Sequence, residues 1–174
     1  MAKKTLLLVR HAKSCWKDFS ITDHERPLNG RGKRDAPSMG ERLLSRKIIP
    51  DTVFSSTAIR AKITAKIISQ KIGYPEEKIC FLDKLYHADA KDLLSHILQL
   101  QDRFESAMLV GHNPGMTDLA ANKWNIPISN LPTCGILEIS FATRSWNEVS
   151  VKTIHSTCFD FPKNSSLKPK FFKG

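Results

Sequence analysis

The sequence predicts an α/β fold, a three-layer α/β/α sandwich around a mostly parallel central sheet. Short apolar runs alternate with longer stretches of helical period from the start of the chain. The first run, Leu6-Leu7-Leu8-Val9, is apolar on both faces, as in a strand covered from two sides. The 174 residues, 41% hydrophobic and 25% charged, suit one domain with a full core, and no internal repeat divides them. The expected division is a single domain over 1–160, followed by a basic tail over 161–174.

The elements follow in order. Thr5 to Val9 reads as a buried strand. A polar stretch without a clean period runs from Lys13 to about Asn29. Gly30 to Arg46 reads as a helix with Met39, Leu43 and Leu44 on one face; Pro37 must either start it or kink it. Asp51 to Ser55 is the second strand. Ser56 or Thr57 is the expected cap of a helix that carries Ile63, Ile67 and Ile68 toward the sheet and stops at Gly73. Lys78 to Leu82 is a third strand, Asp89 to Leu100 a helix, and Ala107 to Val110 a fourth strand. Gly111-His112-Asn113-Pro114 then leads into a short helix ending near Ala121. Strands near Gly135–Phe141 and Glu148–Ile154 complete the domain. After Asp160 come four lysines and no acid, which reads as a loose tail, with Phe171 and Phe172 able to dock.

Several function classes are excluded or weakened. No stretch approaches the roughly 18 apolar residues of a membrane span, so no membrane association is expected. Two lysines before the first apolar run mimic a secretory leader, but Arg10 interrupts it too early. The four cysteines are widely spaced and lack metal-type spacing, which suits a reduced, cytoplasmic protein. None is a phosphatase nucleophile of the cysteine type, because the sixth residue after each is Ile21, Tyr86, Ser140 or Asn164 and never arginine. The net charge of +10 attracts phosphate-bearing partners and would equally suit nucleic acid.

In open parallel sheets, ligands bind beyond the carboxyl ends of the strands. Three strands end there in basic groups: Arg10-His11, the run reaching Arg60, and His112-Asn113. Taken singly, each histidine reads as a structural residue and Arg60 as a solvated one. Together they place two arginines and two histidines at one sheet edge. Such a pocket repels metal ions and suits a phosphoryl group, whose transfer depends on positioning and on charge spread over three oxygens. Arg10 and Arg60 can each offer forked hydrogen bonds, and a helix start beside Arg60 adds backbone donors. A neutral imidazole attacks phosphorus, and neighbouring arginines keep His11 unprotonated. His112 is then a charged or neutral donor to the transition state. No cofactor or metal is expected.

Leu8-Val9-Arg10-His11-Ala12 resembles the signature of the histidine phosphatase, or phosphoglycerate mutase-like, superfamily, with Ala12 where glycine is usual. Ser55-Ser56-Thr57-Ala58-Ile59-Arg60 resembles its second motif, with Thr57 where proline is common, and Val110-Gly111-His112-Asn113 its third. The resemblance implies a phosphoglycerate mutase-like fold and a hydrolase with His11 as nucleophile. It implies phosphate contacts from Arg10, Arg60 and His112, and Asn113 is taken as a further substrate-binding residue.

The stretch from Asp23-His24-Glu25-Arg26-Pro27-Leu28-Asn29-Gly30 through Pro37, and Val110-Gly111-His112-Asn113-Pro114-Gly115, are similar to segments of the SixA-type phosphohistidine phosphatases. The short span between Arg60 and His112 leaves no room for a lid, which suits a phosphorylated protein. A general acid is not evident: Asp18, Asp83 and Asp89 are candidates, each also readable as a solvated loop or cap residue. A phosphoramidate leaves as imidazole and needs less help from an acid than an alkoxide does. Lys17 stands near the site in sequence but reads as solvated, and Gly30-Arg31-Gly32-Lys33 is a helix start and not a phosphate loop. The alternatives are a phosphatase for small phosphate monoesters and a basic nucleic-acid-binding module. No nucleic-acid motif supports the latter, so nucleic acid is not an expected partner.

Overall fold

The computed structural model describes residues 3–164, 166 and 168–173, with the side chain of Lys173 left out. Its sheet has seven strands: β1 (Lys4–Arg10), β2 (Thr52–Ser56), β3 (Cys80–Leu82), β4 (Ser106–Gly111), β5 (Ile136–Phe141), β6 (Ile154–Asp160) and β7 (Lys170–Lys173), in the order β3-β2-β4-β1-β5-β6-β7. The β3-β2-β4-β1 half is parallel. The joins of β5 to β1, β6 to β5 and β7 to β6 are antiparallel.

Strand β1 shows why both faces need cover. Leu6 and Leu8 point into one core, Leu7 and Val9 into the other, and all four are inaccessible to solvent. Helix α1 (Gly30–Ser45), through Ala36, Met39 and Leu43, and helix α2 (Ile59–Ile72) close the Leu7 side. Helix α3 (Ala90–Leu98) and the short α4 (Gly115–Asp118) close the Leu6 side. Each such leucine contributes about 1.5–3 kcal/mol by leaving water.

Several expectations are corrected. Helix α1 runs through Pro37 instead of starting there; the ring removes the bond to the Lys33 carbonyl, on the exposed side, where water can serve it. Neither Ser56 nor Thr57 caps α2, which starts at Ile59 after an uncapped Ala58, because the Ser56 hydroxyl is engaged elsewhere. The row on α2 that meets the sheet is Ala61, Ala65, Ile68 and Ile72, with Ile63 and Ile67 at its margin. Gly73 does end that helix, with φ +75°. Strand β5 falls where expected, but the strand expected over Glu148–Ile154 lies later, as β6, since Trp146–Glu148 and Val151–Thr153 form tight 3-10 turns. The tail expected to be loose instead pairs Lys170–Lys173 with β6, where Phe172 packs on the core and Phe171 faces out.

Candidate active site

Strands β1, β4 and β2 are neighbours and parallel, so their carboxyl ends open at one edge. Arg10 ends β1, Gly111 ends β4 and Ser56 ends β2. His11 and His112 follow directly, and Arg60 sits in the first turn of α2. The sheet ladder continues one step, with the His11 amide donating to the Gly111 carbonyl at 3.0 Å. Thr64 ties α2 to the same loop: its hydroxyl accepts from the Ala12 amide at 2.9 Å and donates to the Arg60 carbonyl at 2.7 Å.

This placement brings the predicted side chains together. Arg60 Nε lies 3.3 Å from His11 Nε2, and the two imidazole centroids are 5.1 Å apart. Only 8% of His11 and 6% each of Arg60 and His112 are accessible. His11 Nδ1 lies 2.8 Å from the Ala12 carbonyl, which can only accept, so Nδ1 carries the proton. Nε2 therefore keeps its lone pair, and Arg60 Nε donates to it. Burial lowers the His11 pKa to about 4; the Ala12 bond and Asp23 oppose the shift, and the charges of Arg60 and Arg10 add to it. The ring is a neutral base at pH 7.

His112 Nε2 pairs with the Ser56 hydroxyl at 2.7 Å, and Nδ1 is buried with no hydrogen-bond partner among the described residues. Burial, then the neighbouring His11 and Arg60, push its pKa to about 3. Of the two protonation states open to it in sequence, the resting site holds the neutral one. Arg10 donates from Nη1 to the Leu131 carbonyl at 3.0 Å. Asn113 lines a depression together with Arg10; its Nδ2 donates to the Leu131 carbonyl and Asn130 Oδ1, both at 3.0 Å, while its Oδ1 accepts from Thr117. It braces the loop that holds Arg10. The α2 start is also partly occupied, because the Ile59 amide donates to the His24 carbonyl.

Asp23, quoted only as part of a motif, is the site residue that sequence reasoning missed. Its carbonyl accepts from Arg60 Nη1, and its Oδ2 accepts from Arg60 Nη2 at 2.9 Å and from the Tyr86 hydroxyl at 2.8 Å. Burial opposes its charge, but these donors prevail and hold its carboxyl below the usual range. Tyr86 shifts upward, first by burial and then by Asp23. Of the general-acid candidates, Asp18 is exposed and bonded to Ser20, Asp83 is exposed, and Asp89 caps α3. Lys17 is exposed.

Residues 6–86 match the family model described as Histidine phosphatase superfamily (branch 1). An uncharacterized chloroplastic protein of Arabidopsis thaliana is 30% identical over 153 residues, 83% of this chain and 70% of that protein. A mitochondrial serine/threonine-protein phosphatase of Drosophila ananassae is 38% identical over 74 residues, 42% of this chain but 25% of its own length. Among solved structures, a protein of Agrobacterium tumefaciens assigned as the phosphohistidine phosphatase SixA superposes with a TM-score of 0.70 at 29% identity, covering 78% of this chain and 90% of that one. The paired imidazoles, the buried arginine and these likenesses agree, and the chain belongs to the histidine phosphatase superfamily, as a SixA-like phosphatase with the phosphoglycerate mutase-like fold.

Proposed function

We propose that the protein removes a phosphoryl group through a covalent phosphohistidine on His11, and that its substrate is phosphohistidine in a protein. The observation that carries this reading is the His11 tautomer: Nδ1 is fixed on the Ala12 carbonyl, and Nε2 presents a lone pair beside Arg60.

In this mechanism Nε2 attacks phosphorus in line while the bond from phosphorus to the leaving nitrogen breaks. Arg10 and Arg60 receive the equatorial oxygens by charge-assisted hydrogen bonds, and His112 donates a further one. The phosphorylated His11 ring becomes cationic, and its Nδ1–H bond to Ala12 strengthens with that charge. Water then attacks phosphorus, the P–Nε2 bond breaks, and phosphate leaves with His11 neutral again. A substrate phosphohistidine protonated on its other ring nitrogen departs as neutral imidazole and needs no acid. That fits a site where Asp23, the carboxylate nearest Arg60, is held ionised. The Drosophila likeness supports a second reading, a phosphate ester as substrate.

The test compares phosphohistidine, phosphoserine and small phosphate monoesters by kcat/KM. The expected order puts phosphohistidine first, with turnover abolished in His11→Ala. Higher efficiency on esters would favour the second reading, and retained turnover in His11→Ala would remove both.

A further inference from the structure

We propose that the loop from Lys13 to Ser20 is a docking surface for the substrate protein, and that the partner presents an acidic face with apolar side chains around its phosphoryl group. This deepens the proposed function by naming the kind of protein that brings the phosphate.

Two large aromatics stand open in this loop. Phe19 is 85% exposed and Trp16 54% exposed. The other exposed large apolar residues among the described ones lie on other elements: Leu44 and Ile49 flank the end of α1, before β2 begins, Val151 precedes β6, and Phe171 is on the edge strand β7. Exposed aromatics are costly to hydrate and mark contact surfaces when they cluster beside a site.

The loop is also built to hold them. Arg26, almost fully buried, stacks its guanidinium 4.2 Å from the Trp16 ring centroid and donates to the Asp18 carbonyl at 3.1 Å. Trp16 Nε1 donates to Ser14 Oγ at 3.0 Å, and Ser14 bridges to Leu28. A rigid aromatic needs little ordering when a partner arrives.

Distance and charge identify the partner. Phe19 is four residues from Asp23, so their Cα atoms are at most about 15 Å apart, and Asp23 bonds Arg60 against His11. A protein interface of ordinary size covers about 800 Å² on each side, a patch roughly 30 Å across. A protein delivering its phosphoryl group to His11 can therefore extend over the Phe19 loop as well. Residues 13–34 hold six Lys or Arg against three Asp or Glu, and Lys13, Lys17, Lys33 and Arg34 are exposed. The α1 start that bears Lys33 and Arg34 abuts Lys13, since Gly32 lies against the Lys13 backbone. An acidic partner face complements this field and gains encounter rate from it.

The experiment uses free phosphohistidine and two phosphohistidine peptides, one rich in Glu and Leu and one rich in Lys, with phosphoserine versions of each. Wild type should favour the acidic peptide over the free amino acid by about tenfold or more in kcat/KM. Phe19→Ser, at an open position, should cut that preference by about tenfold, while leaving the free amino acid unchanged. Turnover of the phosphoserine series alone would fail the phosphohistidine reading, and the same Phe19→Ser ratio would still decide docking. If no probe is turned over, anisotropy of the labelled acidic phosphopeptide decides, with weaker binding to Phe19→Ser expected. An unchanged ratio or affinity in Phe19→Ser, or a preference for the lysine-rich peptide, would overturn the docking surface.

Discussion

At the scale of single residues, the site depends on how Arg60 is aimed. Three of its nitrogens have partners: Nε on His11, and both Nη atoms on Asp23. Asp23 is in turn held by Tyr86. The fork is thus pre-set before substrate arrives, which is where positioned charge has its largest effect. We predict that Asp23→Asn, which keeps the shape but removes the charge, lowers kcat/KM by about tenfold, or ~1.4 kcal/mol. Steady-state kinetics check it, and an unchanged kcat/KM would show that Arg60 is aimed without Asp23. Asp23 was illegible as a partner because its contact with Arg60 joins residues 37 apart, across a stretch with no period to fold by eye. Ser56 misled for a related reason. A serine ahead of a helix is an ordinary cap, but here its hydroxyl pairs with His112 and accepts from the Ala58 amide.

Between elements, the site is set by how closely α1 approaches the loop after β1. A Cβ on Gly32 would lie 2.3 Å from the Lys13 carbonyl oxygen, which is backbone and cannot swing away. Asn29 fixes the same junction, capping α1 on the Gly32 amide at 2.9 Å while its own amide donates to the Lys13 carbonyl at 2.9 Å. Gly32→Ala should therefore push Lys13 and, two residues back, His11. We predict a loss of about 2 kcal/mol in stability and a larger proportional loss of kcat, read by denaturant unfolding beside a kinetic assay. Wild-type values for both would show that the junction yields freely. The strand runs and helix periods were legible because burial on one or both sides leaves a pattern in sequence. The place of β6 was not, because the turns Trp146–Glu148 and Val151–Thr153 bring Val149 and Val151 into an alternation that imitates a strand's.

Across the whole molecule, three largely buried histidines hold depressed pKa values: His11 and His96 near 4 and His112 near 3. Burial is the first cause for each. Between about pH 6.5 and pH 4 the unfolded chain binds these protons and the folded chain does not. Stability therefore falls as pH falls through that window, by up to about 1.4 kcal/mol per pH unit for each histidine. His96 stands apart from the site, edge-on to Phe54 with its Nε2 unpartnered among the described residues. His96→Phe should flatten the slope by one histidine's share without changing turnover. Thermal melts from pH 7 to 5 check this, and an unchanged slope in the variant would contradict it.

The sharpest test of the account is the isomer of the trapped intermediate. After rapid quenching under alkaline conditions, which preserve phosphohistidine, peptide mapping should locate the phosphoryl group on His11, and the ring isomer should be the one substituted at Nε2. Phosphate on His11 Nδ1, on another residue, or on none under conditions of rapid turnover would contradict it.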